Sequence, residues 1–194
     1  MRQLSEEEIG ELLSGVSYDG QSFEAFPGSG AATEESYSIL IESPVEPEEC
    51  KDVFAAQLGE GHVDAPAGYA VNDEQTYRAL VVSHASPDEA QTAFSTTADV
   101  GSSCEEMTYE VPFGGSGEQQ HTMSITAEDA EVPGAHSAVQ TTVTTTHGPG
   151  IEMHFLTALT GNGLIIVSPL NGSPVEKTPD IAAEVVKAYT EAAQ

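Results

Sequence analysis

The residues best suited to chemistry in this 194-residue chain are two cysteines, Cys50 and Cys104, and six histidines. Two cysteines read either as one disulfide or as two buried free thiols, and the count leaves both open. A cysteine nucleophile needs a free thiolate beside a histidine, and Cys50 and Cys104 are better explained by each other. His62-Val63-Asp64 and Glu152-Met153-His154 each place two metal-ligand types on one strand face. A metal centre calls for two histidines a turn apart on a helix or a Cys/His cluster; neither occurs, so no metal and no cofactor is expected. His121, His136 and His147 read as turn or strand-end surface residues.

Hydrolase and nucleotide chemistry fare no better. Gly28-Ser29-Gly30 and Gly114-Gly115-Ser116-Gly117 lack the spacing of a nucleophile elbow and read as loops. Gly161-Asn162-Gly163 is a hairpin turn, because no strand-then-helix context makes it a phosphate cradle. The calcium loop pattern of an EF-hand is absent. Acidic residues are so abundant that a catalytic carboxylate pair has no diagnostic value. The chain is therefore not expected to be an enzyme.

Charge restricts the partners. Five basic residues face 32 acidic ones, a formal net charge of −27. That excludes nucleic acid and anionic lipid surfaces, which are bound through basic patches. The scattered acids fit a surface suited to a saline or cell-wall habitat; the sharper alternative is a patch for a cationic partner or Ca²⁺. No run of about 20 apolar residues is present to span a membrane. Met1-Arg2-Gln3-Leu4-Ser5 leads directly into an acidic helix. Either the protein is cytosolic, or its export signal has been removed.

The elements that would position these residues follow from periodicity. Ser5-Glu6-Glu7-Glu8 is a capping box, and Ile9, Leu12 and Leu13 continue it as a helix over 5–14. Residues 18–36, rich in Gly, Ser, Ala and Glu, read as irregular and exposed, anchored by Phe23 and Phe26, within an arm over about 15–46. Tyr37–Ile41 is a short strand or surface segment. Pro47 opens a second helix over about 47–57, which points Cys50, Val53 and Phe54 inward. Strands 68–71 and 76–82 turn around Asn72-Asp73-Glu74, and Ser86-Pro87-Asp88-Glu89 caps a helix over 87–100. Five strands follow, at 108–111, 121–127, 138–146, 152–160 and 164–169. His147-Gly148-Pro149-Gly150 and Gly161-Asn162-Gly163 make tight turns between them, so the five form an antiparallel meander. Thr178-Pro179-Asp180 starts a last helix over 179–192, with Ile181, Val185, Ala188 and Tyr189 as its stripe. The fold class is α+β, an antiparallel sheet packed against helices, in one domain spanning 1–194.

Several of these pieces together resemble a known family. They are the opening helix Leu4–Leu13, the segment Cys50-Lys51-Asp52-Val53-Phe54, the run Ser86-Pro87-Asp88-Glu89-Ala90-Gln91-Thr92-Ala93-Phe94, Ser102-Ser103-Cys104, and the Tyr109 strand. This arrangement resembles the PknH-like extracellular sensor domain of actinobacteria, over about residues 3–192. The resemblance implies an extracytoplasmic, cell-envelope location, an export signal and lipid anchor outside this chain, and a cleft for an unknown ligand. Cys50 and Cys104 match one family disulfide, which would close a loop of about 55 residues, worth up to ~4 kcal/mol. This chain lacks cysteines for the second bridge that many members carry. The expected function is a monomeric ligand-binding or sensor-type domain of an envelope lipoprotein, acting on a small molecule or envelope component without catalysis. A structural or protein-interaction module of the envelope is the alternative, and a hydrolase with an unrecognised site a further one.

Overall fold

The structure, a computed structural model, describes residues 1–27, 44–51, 53, 65–99, 104–112, 118–146 and 151–194. Its centre is one ten-stranded sheet, in the order β1-β2-β4-β5-β10-β9-β8-β7-β6-β3, with every neighbouring pair antiparallel. The strands are β1 Ser17–Tyr18, β2 Gln21–Pro27, β3 Val45–Glu46, β4 Ala67–Asn72, β5 Tyr77–Ser83, β6 Glu106–Pro112, β7 Glu118–Ala130, β8 Ser137–Thr145, β9 Ile151–Thr160 and β10 Gly163–Pro169. Helix α1 is Glu6–Ser14, α2 Pro87–Ala98 and α3 Thr178–Ala192. After β5 the chain passes through α2 and meanders from β6 to β10. The last strand docks back on β5, with Leu164 opposite Val82 and Ile166 opposite Leu80.

The helices form where the sequence caps them. Ser5 accepts from the Glu8 amide at 3.3 Å, and the Glu8 carboxylate accepts from the Ser5 amide at 2.9 Å, a complete capping box. At α2 the box is only half made: Ser86 accepts from the Glu89 amide, but the Glu89 carboxylate reaches Ala85 instead, at 3.1 Å. The last helix starts at Thr178, as expected, but without a side-chain cap. Lys177 holds the cap position without a side-chain bond, and the Thr178 hydroxyl donates to the Val175 carbonyl at 2.8 Å.

Two corrections concern the first third of the chain. Residues 17–27 are not irregular: they form β1 and β2, and Phe23 is buried while Phe26 is half-buried. Alternation explains the strand, since Phe23 and Ala25 face one side and Glu24 and Phe26 the other. The expected helix at 47–57 begins as a 3₁₀ turn, Glu48–Cys50, after a cis Glu46–Pro47 bond, with Pro47 ahead of the first turn rather than in it. Cys50 does point inward and is fully buried. The expected strand at 37–41, the rest of the arm after residue 27 and Phe54 lie outside the described residues.

Apolar clusters cover both faces of the sheet. On one face, Ile9 and Leu13 of α1 and Ile181, Val185, Val186 and Tyr189 of α3 pack on Ala70, Ala79, Val81, Leu156, Ile165 and Val167. On the other, Ala90 and Phe94 of α2 pack on Ala67, Leu80, Val82, Val139 and Leu164. A third cluster joins Val45, Cys50, Cys104, Met107, Met123, Ile125 and Val143 around the disulfide. Cys50 and Cys104 are bonded at 2.09 Å, with Cα atoms 5.5 Å apart and a sequence separation of 54.

A buried polar hub closes the meander. The Tyr189 hydroxyl donates to Asn162 Oδ1 at 3.1 Å and sits 2.9 Å from Ser83 Oγ. Asn162 Nδ2 donates to the His84 carbonyl at 2.6 Å, and the Leu4 amide donates to Ser83 Oγ at 2.9 Å. Gly163 is required beside it, because a Cβ there would lie 2.5 Å from the Tyr189 ring. The hub thus ties the start of the chain, β5, the β9–β10 turn and α3 together.

Candidate functional site

The described surface has an open groove between α1 and β2, of about 750 Å³. Its geometry follows from how α1 lies on the sheet. Ile9 and Leu13 turn inward, and Ile9 fits against Gly68, where a Cβ would come within 2.8 Å of Ile9 Cγ2. This leaves the opposite flank of the helix over the sheet edge. Residues four apart share a helix face, so Glu6, Gly10 and Ser14 form one ridge, and Glu7, Glu11 and Gly15 the next. Both ridges line the groove, and Ala25 and Phe26 of β2 close it. A Cβ on Gly10 would meet nothing within 4 Å, so the missing side chain adds open room.

The groove has an acidic rim, and at its edge Phe26 turns its ring to the opposite face of the sheet. Phe26 stacks on Tyr69 of β4, with ring centroids 5.1 Å apart and planes 20° apart. The Arg78 guanidinium lies 5.0 Å over the Tyr69 ring, which steadies the aromatic pair from β5. Glu6, Glu7 and Glu11 make no ion pair among the described residues, whereas Arg2 is paired with Glu8 at 2.7 Å. That pair and the Ser5 amide hold the Glu8 carboxyl below its ordinary pKa, the backbone bond contributing most. A pocket of this volume is in the range used for small ligands and peptide side chains. Its carboxylates favour a cation.

The residues singled out from sequence are scattered. Glu152 and His154 do share a strand face, but they bond to each other, His154 Nε2 to Glu152 Oε1 at 3.0 Å, and His154 Nδ1 meets Thr142 Oγ1 at 3.0 Å. This hydroxyl–imidazole–carboxylate chain has the order of an activated nucleophile. It lies on a flat strand pair, where Thr142 is directly opposite His154 and the backbone amides belong to the ladder, leaving no oxyanion donors. No group of three or more His, Cys, Asp or Glu side chains is placed to hold a metal ion among the described residues. His136 is exposed, and its Nδ1 accepts from the Gly161 amide at 3.1 Å. His121 is a correction. It is buried, tilted against Tyr109 with centroids 5.5 Å apart, because the β6–β7 register sets the two directly opposite. His62, Asp64, His147, Gly28–Gly30 and Gly114–Gly117 lie outside the described residues.

Two features escaped the sequence. His84 is buried beside the hub, and its burial pushes the imidazole pKa down against an opposing pull from Glu89. The groove was missed because α1 was read for its buried stripe alone. The signal available was the i, i+4 spacing of Glu6, Gly10 and Ser14 on the face left over.

No protein-family profile and no curated protein matches the chain. Solved structures do. The crystal structure of the extracellular domain of PknH from Mycobacterium tuberculosis is 12% identical, with a TM-score of 0.50 over 97% of this chain and 93% of that one. A putative uncharacterized protein from Mycobacterium smegmatis is 16% identical, with a TM-score of 0.46 over 93% of this chain and 94% of that one. At such low identity the likeness is one of fold, and it runs through nearly the whole chain: these residues build the fold of the PknH extracellular domain.

Proposed function

We propose that the chain is an extracytoplasmic ligand-binding or sensor-type domain, carried by a cell-envelope lipoprotein, with the α1–β2 groove as its binding site. The observation that carries the binding reading is the groove itself: an open concavity of about 750 Å³ whose carboxylates are not spent in ion pairs among the described residues. The compartment rests on two supports, the disulfide and the likeness to an extracellular domain. Ten strands in one sheet support a single domain over 1–194. Binding rather than catalysis is the better reading because the hydroxyl–imidazole–carboxylate chain found among the described residues lacks oxyanion donors.

The test is Gly10→Leu. This substitution fills the groove without a clash and replaces a helix glycine by a better helix former, so the fold is expected to gain up to about 1 kcal/mol. A thermal-shift screen of small cationic and amphipathic compounds against both proteins reads the outcome. Hits that stabilise the parent and lose their effect on the filled variant support the groove. Hits that stabilise both equally place binding elsewhere.

A further inference from the structure

The groove runs beside an unfinished sheet edge. β1 pairs with only the first two residues of β2, Ser17 with Ser22 and Tyr18 with Gln21. From Phe23 onward the inner side of β2 pairs with β4, and its outer side has no strand partner among the described residues. That leaves about 17 Å of strand whose alternate N–H and C=O groups point outward. Such an edge is a template for another strand, and natural edges are blunted by charge, brevity or a cover to prevent pairing. Here the cover is α1, set back from the edge by the width of the groove.

A strand added to β2 would run along that groove. Every second side chain would enter it beside Ala25 and over the gap at Gly10, and would meet Glu6, Glu7 and Glu11, while the side chains between would lie beside Phe26 on the opposite face. Four aspects of the chemistry then select the occupant. The edge asks for an extended polypeptide. The three carboxylates ask for basic side chains at alternate positions. Phe26 and Tyr69, on the opposite face of the same edge, accept apolar side chains at the positions in between. A second copy of this chain is disfavoured, since it would bring Glu24 and a net charge of −27 against the same carboxylates. We infer that the groove and the β2 edge together capture an extended, basic segment of another polypeptide by strand addition, a proposal that rests on the groove being the binding site.

The probe is a short acetylated peptide of alternating lysine and valine, titrated near 0.15 M salt, where the Debye length is about 8 Å. A strongly acidic protein attracts any polycation, so two controls isolate the proposal. One is the same peptide N-methylated at alternate residues, which keeps the charge and cannot pair. The other is a pair of triple variants: Glu6→Gln/Glu7→Gln/Glu11→Gln in the groove, and Glu106→Gln/Glu128→Gln/Glu131→Gln far from it. The expected result is weakening on the order of tenfold for the methylated peptide and for the groove triple, with the distant triple within about twofold of the parent. Amide exchange at Phe23–Phe26 should slow on binding. Equal loss in both triples, equal binding of the methylated peptide, or unchanged exchange at β2 overturns strand addition. The two readings fail separately. If the peptide fails while compounds sensitive to Gly10→Leu exist, only strand addition falls; if Gly10→Leu alters no binding at all, the groove falls with it.

Discussion

The two halves of the sheet are held together by different means. From β2 to β10 the strands are covered on one face by α1 and α3 and on the other by α2, and Ala79, Val81, Ile165 and Val167 are wholly buried. From β8 to β3, one face presents Glu106, Thr126, Glu128 and Thr144 as exposed side chains. Only the opposite face of that half carries the smaller cluster around Met107, Met123 and Ile125, and the disulfide lies within it. The cross-link therefore sits where apolar burial is one-sided. A chain that is 39% hydrophobic with a net charge of −27 has little apolar material to spread over ten strands. It concentrates that material in one half and staples the other.

Breaking the staple should give the largest effect. Cys50→Ser with Cys104→Ser is expected to lose about 2–5 kcal/mol in urea unfolding. Amide exchange should accelerate first in Glu106–Pro112 and least in Tyr77–Ser83; uniform acceleration would falsify the division into halves. The packed half has its own weak point. Gly163→Ala pushes a methyl to within 2.5 Å of the Tyr189 ring and is expected to cost about 1–3 kcal/mol, with exchange rising around the hub instead.

The seam between the halves offers a smaller change of opposite sign. Thr141 and Thr157 bury hydroxyls that have no hydrogen-bond partner among the described residues. Thr141 stands on β8 between Val139 of the α2 cluster and Val143 of the disulfide cluster. Thr141→Val keeps the shape, removes an unpaired polar group and lets the two clusters meet, so a gain of about 1 kcal/mol is expected in the urea midpoint. A loss there would mean the hydroxyl has a partner worth more than its burial.

The smallest effect is a pH dependence seated in the packed half. Burial holds His84 below its ordinary value, so on acidification the unfolded chain takes up this proton before the folded one does. The contribution of His84 is therefore kept above a pH of about 6.5 and lost below it. Urea midpoints on either side of that pH, in the parent and in His84→Gln, should diverge only on the acid side. The many carboxylates act alike in both proteins and drop out of the difference.

Much of this was legible in the residues. Ser5 with Glu8 announced α1, and the alternating runs with the Gly161-Asn162-Gly163 turn announced the meander, because caps and hairpins are decided by neighbours in sequence. The disulfide followed from a resemblance and is present. Less legible was anything set by strands far apart in the chain. His121 looked like surface because nothing near it reveals that Tyr109 lies across the ladder. Gln21–Pro27 looked irregular because an acid in a short run of small residues weakens the alternation, and its pairing partner, β4, is remote. The groove is the least legible feature, since it exists only where the leftover flank of α1 meets the edge of β2.

The clasp at the hub has one more consequence. The Arg2 amide donates to the Ala193 carbonyl at 3.0 Å, and the Arg2 guanidinium donates to the Ala192 carbonyl at 3.1 Å. The first and last residues of the chain thus leave the fold side by side. A polypeptide whose ends meet can be spliced into a surface loop of an unrelated host without stretching either partner, and it can be circularised and reopened elsewhere. Reopening it in the Asn72–Thr76 turn would leave the groove, the staple and the hub on one continuous sheet, and would make this unit portable.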